Sequence, residues 1–550
     1  MLRIGRPSDI WFKPALSVIA AVAPPCLALA ALEHLDLAMY TMAGALCALY
    51  AHNRPYAARA RVLAGVVLGM LTGLAVALVT ASLTGNAVVL VAVGALLAAA
   101  QKTLCDATRI GPPGNVVLTF VSSAALFAPQ TLGQVPGHLA LAAGAGVWAW
   151  IVGMAPGLVR PYGPERRATA HALNAVAAHE QAHRTGDGTG GHGYVRSRAA
   201  AETAVQAARQ ALSSAGGRPG TARATTRRAL EQLVVRAEFT LTAPTESRPD
   251  ELRSWAGELR DGGHVPSFGE RLGVQRLDPE LIAPTPPLWT RLGPLVPLAA
   301  RTALGCALAG YASLALGIGR PYWALVTAAS LYQANVTLTW NRTVQRTVGN
   351  LAGVLLFAAL VPLAHLGPIA LVLCCLALNF GAEALMSRNY WLGSVCVTPM
   401  ALLVTEFTGF QDPGRLMAER IVDTFVGALL GLVAAVAVTN HRAGARVEHA
   451  LTVVEHARTH AERTLTRVHP VSGSVDTAHR GLAAALADLR TTADAAAGEW
   501  RQRTRPQERV VLAERSGHRT LAATVRGREP RPGAGAGGRT DDRTTEDVRP

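Results

Sequence analysis

The chain has 550 residues, of which 50% are hydrophobic and 16% are charged, whereas a soluble protein normally has about 25% charged residues. Its net charge of +15 comes almost entirely from arginine, since the only lysines are Lys13 and Lys102. No recognisable nucleic-acid-binding module accompanies this charge, so we expect no nucleic-acid partner. Charged residues concentrate in 160–290 and 440–550, which indicates a membrane protein with separate aqueous regions.

The first part of the chain, residues 1–160, contains six apolar segments separated by short polar loops. A helix that crosses a bilayer needs about 20 mostly apolar residues. Backbone groups must be paired in lipid, which favours helices over irregular chain. The predicted spans of this first transmembrane half are 14–32, 36–52, 62–82, 86–101, 114–129 and 137–158.

The next segment, 161–290, is too polar to cross a membrane. Its Arg- and Ala-rich stretches 164–184, 196–215 and 222–241 predict helices, with Gly-rich breaks at 185–193 and 214–220. We expect this segment to be a cytoplasmic helical linker region.

The second transmembrane half, 291–440, again contains six apolar segments. The predicted spans are 294–317, 321–339, 346–364, 367–384, 390–406 and 419–439. A second cytoplasmic helical region is predicted for 441–524, with helices at 443–468 and 476–503. The Gly-, Pro- and charge-rich tail 525–550 is predicted to be disordered.

The loop charges predict the orientation of the chain in the membrane. Most basic loop residues fall on one side if the spans alternate, while the outer loops of the first half contain no Arg or Lys. Arg320, Arg415 and Arg420 are exceptions, since they fall on or near the outer side. The positive-inside rule therefore predicts a multi-pass cell-membrane protein with cytoplasmic N- and C-termini.

The two halves resemble each other in sequence. Residues 40–73 and 322–353 both begin at a Tyr, reach a Leu-Tyr pair at the same distance, pass a basic stretch and enter a Gly-spaced helix. An even number of spans per unit makes such repeats parallel. The predicted fold is therefore an all-α polytopic membrane protein, with about twelve transmembrane helices in two parallel six-helix repeats and cytoplasmic helical regions.

Glycines at four-residue spacing let helix backbones approach closely in lipid. This spacing fits tight packing within each half and also fits a seam between two copies of the chain, and packing is the simpler interpretation. The glycines concerned are Gly65, Gly69, Gly73, Gly349, Gly353, Gly427 and Gly431.

Two arginines in the stretch WNRTVQR (340–346) form the first candidate for a functional site. Arg342 and Arg346 are one helical turn apart at the expected cytoplasmic mouth of a span. Their geometry suits capture of an anionic substrate. Topogenic charge combined with contact to lipid headgroups explains the same pattern equally well.

Ionisable side chains at membrane depth are costly and point to function. Arg301 is the deepest of these on the predicted boundaries, and we assign it hypothetically to substrate binding. Glu383 and Asp423 lie near span ends, where a carboxyl group could carry a proton in a transport cycle.

The pattern His179-Glu180-Gln181-Ala182-His183 matches the HExxH motif of zinc peptidases. A third metal ligand is missing from the required position, and the stretch is polar and Ala-rich, so we interpret it as a solvated helix. The seven cysteines form no CxxC pair. We therefore expect no metal site and no cofactor.

The segment 319–360 resembles the integral membrane domain of the fusaric acid resistance family, which includes aromatic acid exporters. In that family a Tyr-Trp pair begins a span, an Arg-x3-Arg follows and a Gly-x3-Gly helix comes next. The corresponding residues here are Tyr322 and Trp323, Arg342 and Arg346, and Gly349 and Gly353. The first half departs from the pattern, since Thr41 replaces the Trp and its arginines are spaced more loosely.

The resemblance implies export of organic anions or toxic aromatics driven by an ion gradient. From their position and charge we assign Arg342 and Arg346 hypothetically to anion capture, with Tyr322 and Trp323 as aromatic contacts to the substrate or as interfacial anchors. We therefore predict a non-enzymatic exporter that takes a small organic anion and assembles as a homo-oligomer. The alternative is a non-transporting membrane scaffold or regulator that acts through its cytoplasmic helices.

Overall fold

The computed structural model describes most of the chain. The described residues are 11–184, 192–214, 222–242, 249–260, 265, 288–333, 335–438, 443–466, 472–497 and 506–526. Within these residues the secondary structure is entirely helical, which confirms the predicted all-α class. Most of the predicted Gly-rich breaks 185–193 and 214–220, and nearly all of the tail 525–550, lie outside the described residues.

The first transmembrane half contains six helices and a short seventh that leads into the linker. They are α1 (Phe12–Ala31), α2 (Ala38–Ala45), α3 (Tyr56–Leu83), α4 (Ala87–Thr108), α5 (Val116–Leu126), α6 (Val135–Met154) and α7 (Pro156–Val159). A 3-10 turn, Leu46–Leu49, extends α2.

The linker region contains four polar helices that pack around a small core of alanine, leucine and valine. They are α8 (Gly163–Arg184), α9 (His192–Ser214), α10 (Ala222–Thr242) and α11 (Pro249–Arg260).

The second transmembrane half repeats the order of the first after a short leading helix. Its helices are α12 (Leu288–Leu292), α13 (Val296–Ala315), α14 (Tyr322–Ala329), α15 (Val336–Ala364), α16 (Pro368–Met386), α17 (Tyr390–Thr405) and α18 (Pro413–Ala437). Three further polar helices follow and share a second small core: α19 (Ala443–Leu465), α20 (Ser472–Ala497) and α21 (Pro506–Arg526).

Nine helices in the described part of the chain are long and apolar enough to cross a membrane, against the twelve that the sequence predicts. The predicted spans 36–52 and 114–129 are occupied by the shorter apolar stretches Leu35–Leu49 and Val116–Leu126. The predicted span 321–339 is occupied by α14, which has 8 residues. The protein is thus polytopic, but three of its membrane segments are too short to span alone.

The two halves nevertheless use the same pattern of helix packing. In each half the second helix packs against the sixth, and the third packs against the fifth and the sixth. The first helix of each half packs against the fourth helix of the other half, α1 against α16 and α13 against α4. This reciprocity is what two copies of one unit would show, while their parallel arrangement in the membrane stays a prediction.

The stretch that contains Arg342 and Arg346 is helical, which corrects the predicted break between spans at 340–345. The break lies earlier, after α14, and α15 then runs for 29 residues from Val336 to Ala364. Asn335 sets this start, because its side-chain oxygen accepts a hydrogen bond from the backbone N–H of Leu338 at 2.8 Å. No Gly or Pro interrupts the following residues, so the helix continues through both arginines.

Glycines bring α15 against α17 and α18 against α14. A Cβ atom on Gly353 would lie 2.7 Å from the Cβ of Thr398 and 2.9 Å from the carbonyl oxygen of Val395. A Cβ atom on Gly427 would lie 2.5 Å from the carbonyl oxygen of Ala324. These glycines therefore serve packing within the second half, as the simpler interpretation of their spacing expects.

We predict that Gly353→Ala destabilises the protein, because the added methyl group must displace backbone atoms of α17. Overpacking of this kind costs about 1–3 kcal/mol. Gly69→Ala is the matched control, since nothing lies within 4 Å of a Cβ at that position on α3. Thermal unfolding in detergent should show a lower midpoint for Gly353→Ala alone. Equal midpoints for the two variants would contradict the close approach.

Candidate functional site

Arg342 and Arg346 converge on one aromatic side chain, Tyr390, which is the first residue of α17. The guanidinium carbon of Arg342 lies 3.0 Å from the centre of the Tyr390 ring. Nη1 of Arg346 donates a hydrogen bond to the Tyr390 hydroxyl at 3.2 Å. Arg346 is only 3% exposed and Arg342 is partly buried, so both arginines lie on a helix of the bundle rather than in a surface loop.

A third arginine, Arg420 of α18, joins this group and is buried like Arg346. Its guanidinium carbon lies 4.5 Å from the centre of the Trp323 ring, and it interacts electrostatically with Arg346. Arg420 is 2% exposed and Trp323 is 1% exposed. The Tyr322 ring packs edge-on against Trp323, with 6.0 Å between ring centres. We call Arg342, Arg346, Arg420 and their aromatic partners the arginine cluster.

An uncharged polar network lies next to the arginine cluster, near the middle of α15 and α18. Asn350, the fifteenth of 29 residues in α15, donates to the Thr424 hydroxyl at 3.1 Å. Thr398 of α17 donates to the side-chain oxygen of Asn350 at 2.8 Å. All three side chains are at most 1% exposed. Their hydrogen bonds tie together three of the helices that carry the arginine cluster.

One carboxylate, Asp423, accompanies the three arginines. It is 0% exposed and interacts electrostatically with Arg420. Its Oδ1 accepts a hydrogen bond from the Ser313 hydroxyl of α13 at 2.7 Å. Its Oδ2 has no hydrogen-bond partner among the described residues.

The cluster therefore holds an excess of positive charge, and two of its three arginines, Arg346 and Arg420, are buried. Formal charges of +3 and −1 leave a net +2, and in the described part of the chain no ion pair within 4.0 Å involves these three arginines. The Nε atom of each arginine also lacks a hydrogen-bond partner among the described residues. Buried charges are stable only when they are paired. An anion placed between the arginines and aromatic rings would supply that pairing.

Two of the predicted site residues lie elsewhere. Arg301 does not join the cluster, since its Nε donates to the carbonyl oxygen of Val438 at 2.5 Å, just beyond the end of α18. Glu383 of α16 faces the first half, where it interacts electrostatically with Tyr50. No described residue forms a hydrogen bond or an ion pair with Glu383. Their assigned roles stay predictions.

Sequence analysis missed Arg420 and Tyr390. For Arg420 a signal existed, because it was one of the residues that violated the positive-inside rule. An arginine that violates the positive-inside rule and lies inside an apolar segment is a candidate for a functional residue buried among the helices. For Tyr390 there was no such signal, since a Tyr at the start of a span is typical of an interfacial residue.

The first half lacks the arginine cluster. With Gly69 and Gly73 aligned on Gly349 and Gly353, the positions of Arg342, Arg346 and Asn350 correspond to Val62, Val66 and Met70. The burial of the two helices supports this alignment, since Val66 and Met70 are 2% and 1% exposed and Arg346 and Asn350 are 3% and 1% exposed.

The polar residues that α4 and α5 of the first half bury are uncharged. The Gln101 amide donates to the Ser122 hydroxyl at 2.8 Å and the Thr119 hydroxyl donates to Gln101 at 2.9 Å. The helices α4 and α5 thus contain no counterpart of the arginine cluster.

The HExxH stretch lies in α8 and packs against α9. His179 is 2% exposed, and its Nδ1 is 3.0 Å from the Ser197 hydroxyl. Glu180 is 1% exposed and pairs with Arg184 at 3.3 Å. Among the described residues no group of three His, Cys, Asp or Glu side chains could hold a metal ion. These side chains pack the linker helices together, and α8 is not the freely solvated helix that the sequence suggested.

Comparison with known proteins gives a family for the region that contains the arginine cluster. Residues 307–434 match the family model described as fusaric acid resistance protein-like. The uncharacterized membrane protein YvaC of Bacillus subtilis is 34% identical over 122 residues, which are 22% of this chain and 19% of that protein. The chain thus matches about a fifth of that relative's length. No solved structure matches the chain significantly.

We predict that packing between α8 and α9 weakens in acid because of His179. Burial, with a smaller contribution from Arg198, lowers the pKa of His179 from 6.5 to about 4. The folded state therefore resists protonation, and stability that is complete above pH 6.5 is lost progressively as the pH falls towards 4.

Hydrogen exchange of α8 and α9 in the full chain, at about pH 7 and about pH 5, measures this effect after correction for intrinsic exchange rates. His179→Gln, which cannot be protonated in this range, should reduce the difference between the two pH values. An undiminished difference in that variant would exclude His179 as its cause.

Proposed function

This chain is a polytopic membrane protein whose second half belongs to the fusaric acid resistance protein-like family, and from that premise we propose that it exports small organic anions. The observation that carries the proposal is the buried excess of positive charge in the arginine cluster. The family description names resistance to an organic acid, and for a membrane protein removal of the acid from the cell is a direct route to resistance.

The chemistry of the cluster favours an aromatic carboxylate as the substrate. Guanidinium groups bind carboxylates through paired, charge-assisted hydrogen bonds. Tyr390 and Trp323 already contact the arginines through their ring faces, and Tyr322 adds a third ring. An aromatic acid could therefore pair its carboxylate with an arginine and pack its ring among these side chains.

For the driving force we propose proton coupling through Asp423. Its carboxyl group lies in the same cluster as Arg420, so a bound anion and a bound proton would influence each other directly. One oxygen is held by Ser313, while the other lacks a partner among the described residues and could accept a proton. Glu383 remains the second proposed proton carrier, although it lies apart from the cluster.

The scaffold alternative draws support from one contact between the cytoplasmic helices and the membrane half. The side-chain amide of Asn335, which caps α15, donates to the carbonyl oxygen of Asp494 in α20 at 3.2 Å. Deletion of 165–285 with fusion of the halves separates the two functions. An exporter should keep part of its transport, whereas a scaffold that acts through the linker helices should lose its activity.

We predict that Arg346→Gln impairs export of aromatic carboxylates. A hydrogen bond to a charged group is worth about 1.5–3 kcal/mol, so the variant should bind about 10- to 150-fold more weakly. The measurement is the accumulation of a panel of aromatic acids in cells, with the corresponding uncharged amides as control compounds.

Arg388→Gln is the matched control variant, because Arg388 is exposed in the turn before Tyr390 and lies outside the cluster. Both variants must reach the membrane in equal amounts. Unchanged export by Arg346→Gln, or equal loss in both variants, would exclude the proposed anion site.

We predict that Asp423→Asn separates substrate binding from coupling. The amide can still accept the hydrogen bond from Ser313, but it cannot exchange a proton. Binding of an aromatic acid to the purified variant should be retained, while export that depends on the proton gradient should be lost.

The same assay on Glu383→Gln compares the two proposed carriers. Export that still collapses with the proton gradient in Asp423→Asn would reject Asp423 as the coupling residue.

A further inference from the structure

The first half contains a second group of basic side chains, at the end of α6 where the apolar bundle meets the polar linker. Leu158 and Val159 in α7 are 89% and 81% exposed, and Arg160 follows them directly. Trp11 and Phe12, at the start of α1, are 37% and 40% exposed and precede Lys13. Exposed apolar and aromatic side chains beside cations are typical of the boundary between lipid tails and headgroups.

Four cationic residues converge at this boundary. Lys13 of α1 interacts electrostatically with Arg59 of α3 and with Arg160 and Arg167 at the start of the linker. Arg160 and Arg167 both border Gly163, each within 3.7 Å of the position of a Cβ atom there. Arg59 packs beside Gly153 near the end of α6. We call Lys13, Arg59, Arg160 and Arg167 the boundary cluster.

Arg59 is the buried centre of the boundary cluster. It is 4% exposed, and its Nη2 is 3.1 Å from Nδ1 of His52. Its Nε has no hydrogen-bond partner among the described residues. No ion pair within 4.0 Å is found for Arg59 in the described part of the chain, although Glu165 lies near enough to interact with the neighbouring Tyr56. One carboxylate against four cations leaves the boundary cluster positive.

We propose that the boundary cluster binds the phosphate group of an anionic phospholipid in the adjoining leaflet. A basic pocket between membrane helices at the headgroup level is the arrangement that holds such lipids. In this proposal the phosphate contacts Arg59 and the more exposed members of the boundary cluster. The acyl chains lie along the surface that Leu158, Val159 and Phe12 expose. Free phosphate has the same charge chemistry but makes no use of this apolar surface.

The boundary cluster is distinct from the arginine cluster, because the two occupy different positions when the two halves are aligned. In the alignment that equates Gly73 with Gly353, Arg59 corresponds to Thr339, so the second half has no cation at this point. We therefore assign anion capture to the arginines of the second half and headgroup contact to the basic residues of the first half.

The test compares lipids bound to the full chain in detergent, measured by native mass spectrometry. The probes are phosphatidylglycerol, phosphatidylcholine and inorganic phosphate. The variants are Arg59→Gln and Arg160→Gln, and Arg160 is exposed, so its replacement should not disturb folding. Arg61→Gln is the matched control, since Arg61 is an exposed arginine on the same helix two residues from Arg59.

We expect the wild-type protein to retain phosphatidylglycerol in preference to phosphatidylcholine. Each variant of the boundary cluster should retain it about five-fold less, while Arg61→Gln behaves as wild type. Equal retention of both lipids, no loss in either cluster variant, or equal loss in Arg61→Gln overturns the proposal. Two further observations together would overturn the lipid as the source of the phosphate. Inorganic phosphate would bind the lipid-free protein, and added phosphate would displace no phosphatidylglycerol from the lipid-bound protein.

Discussion

Backbone contact at glycines is the constraint from which the rest of the second half follows. In lipid no hydrophobic force draws helices together, so close packing and hydrogen bonds must do so. Gly353 lets α15 touch α17, and Gly427 lets α18 touch α14. Once these helices are in contact, Asn350 can bond both Thr398 and Thr424. The same close packing leaves Arg346 and Arg420 only 3% and 2% exposed.

Removing a cation from water normally costs a large desolvation free energy. The aromatic rings and the carboxyl group around the arginines offset part of this cost but not all of it. Ring faces of Tyr390 and Trp323 offer partial negative charge to two guanidinium groups. Asp423, which interacts electrostatically with Arg420, contributes a formal charge of −1. Among the described residues no further carboxylate pairs with these arginines, which distinguishes this group from a structural ion-pair network. The outer pair of Arg320 and Glu419, 3.4 Å apart, shows the contrasting case in which cation and carboxylate meet directly.

Much of this architecture could be predicted from the sequence, because apolar runs and glycine spacing are local patterns. The all-α class, the two similar halves and the polar helical regions followed from them, as did the one-turn separation of Arg342 and Arg346. The break before α15 did not, since it depends on a single side-chain cap at Asn335. Arg420 was missed for a different reason. Its partner Trp323 lies on another helix, and counting loop charges treats every arginine as a residue that faces water.

The unequal charge of the two halves has an electrical consequence. All three clustered arginines belong to the second half, while Val62 and Val66 occupy the matching positions in the first. Any movement of the arginine cluster along the membrane normal therefore carries net charge through the transmembrane field. Each elementary charge that crosses the full field exchanges about 2.3 kcal/mol per 100 mV. An empty cluster is more positive than one with an anion bound, so the membrane potential acts differently on the loaded and unloaded protein.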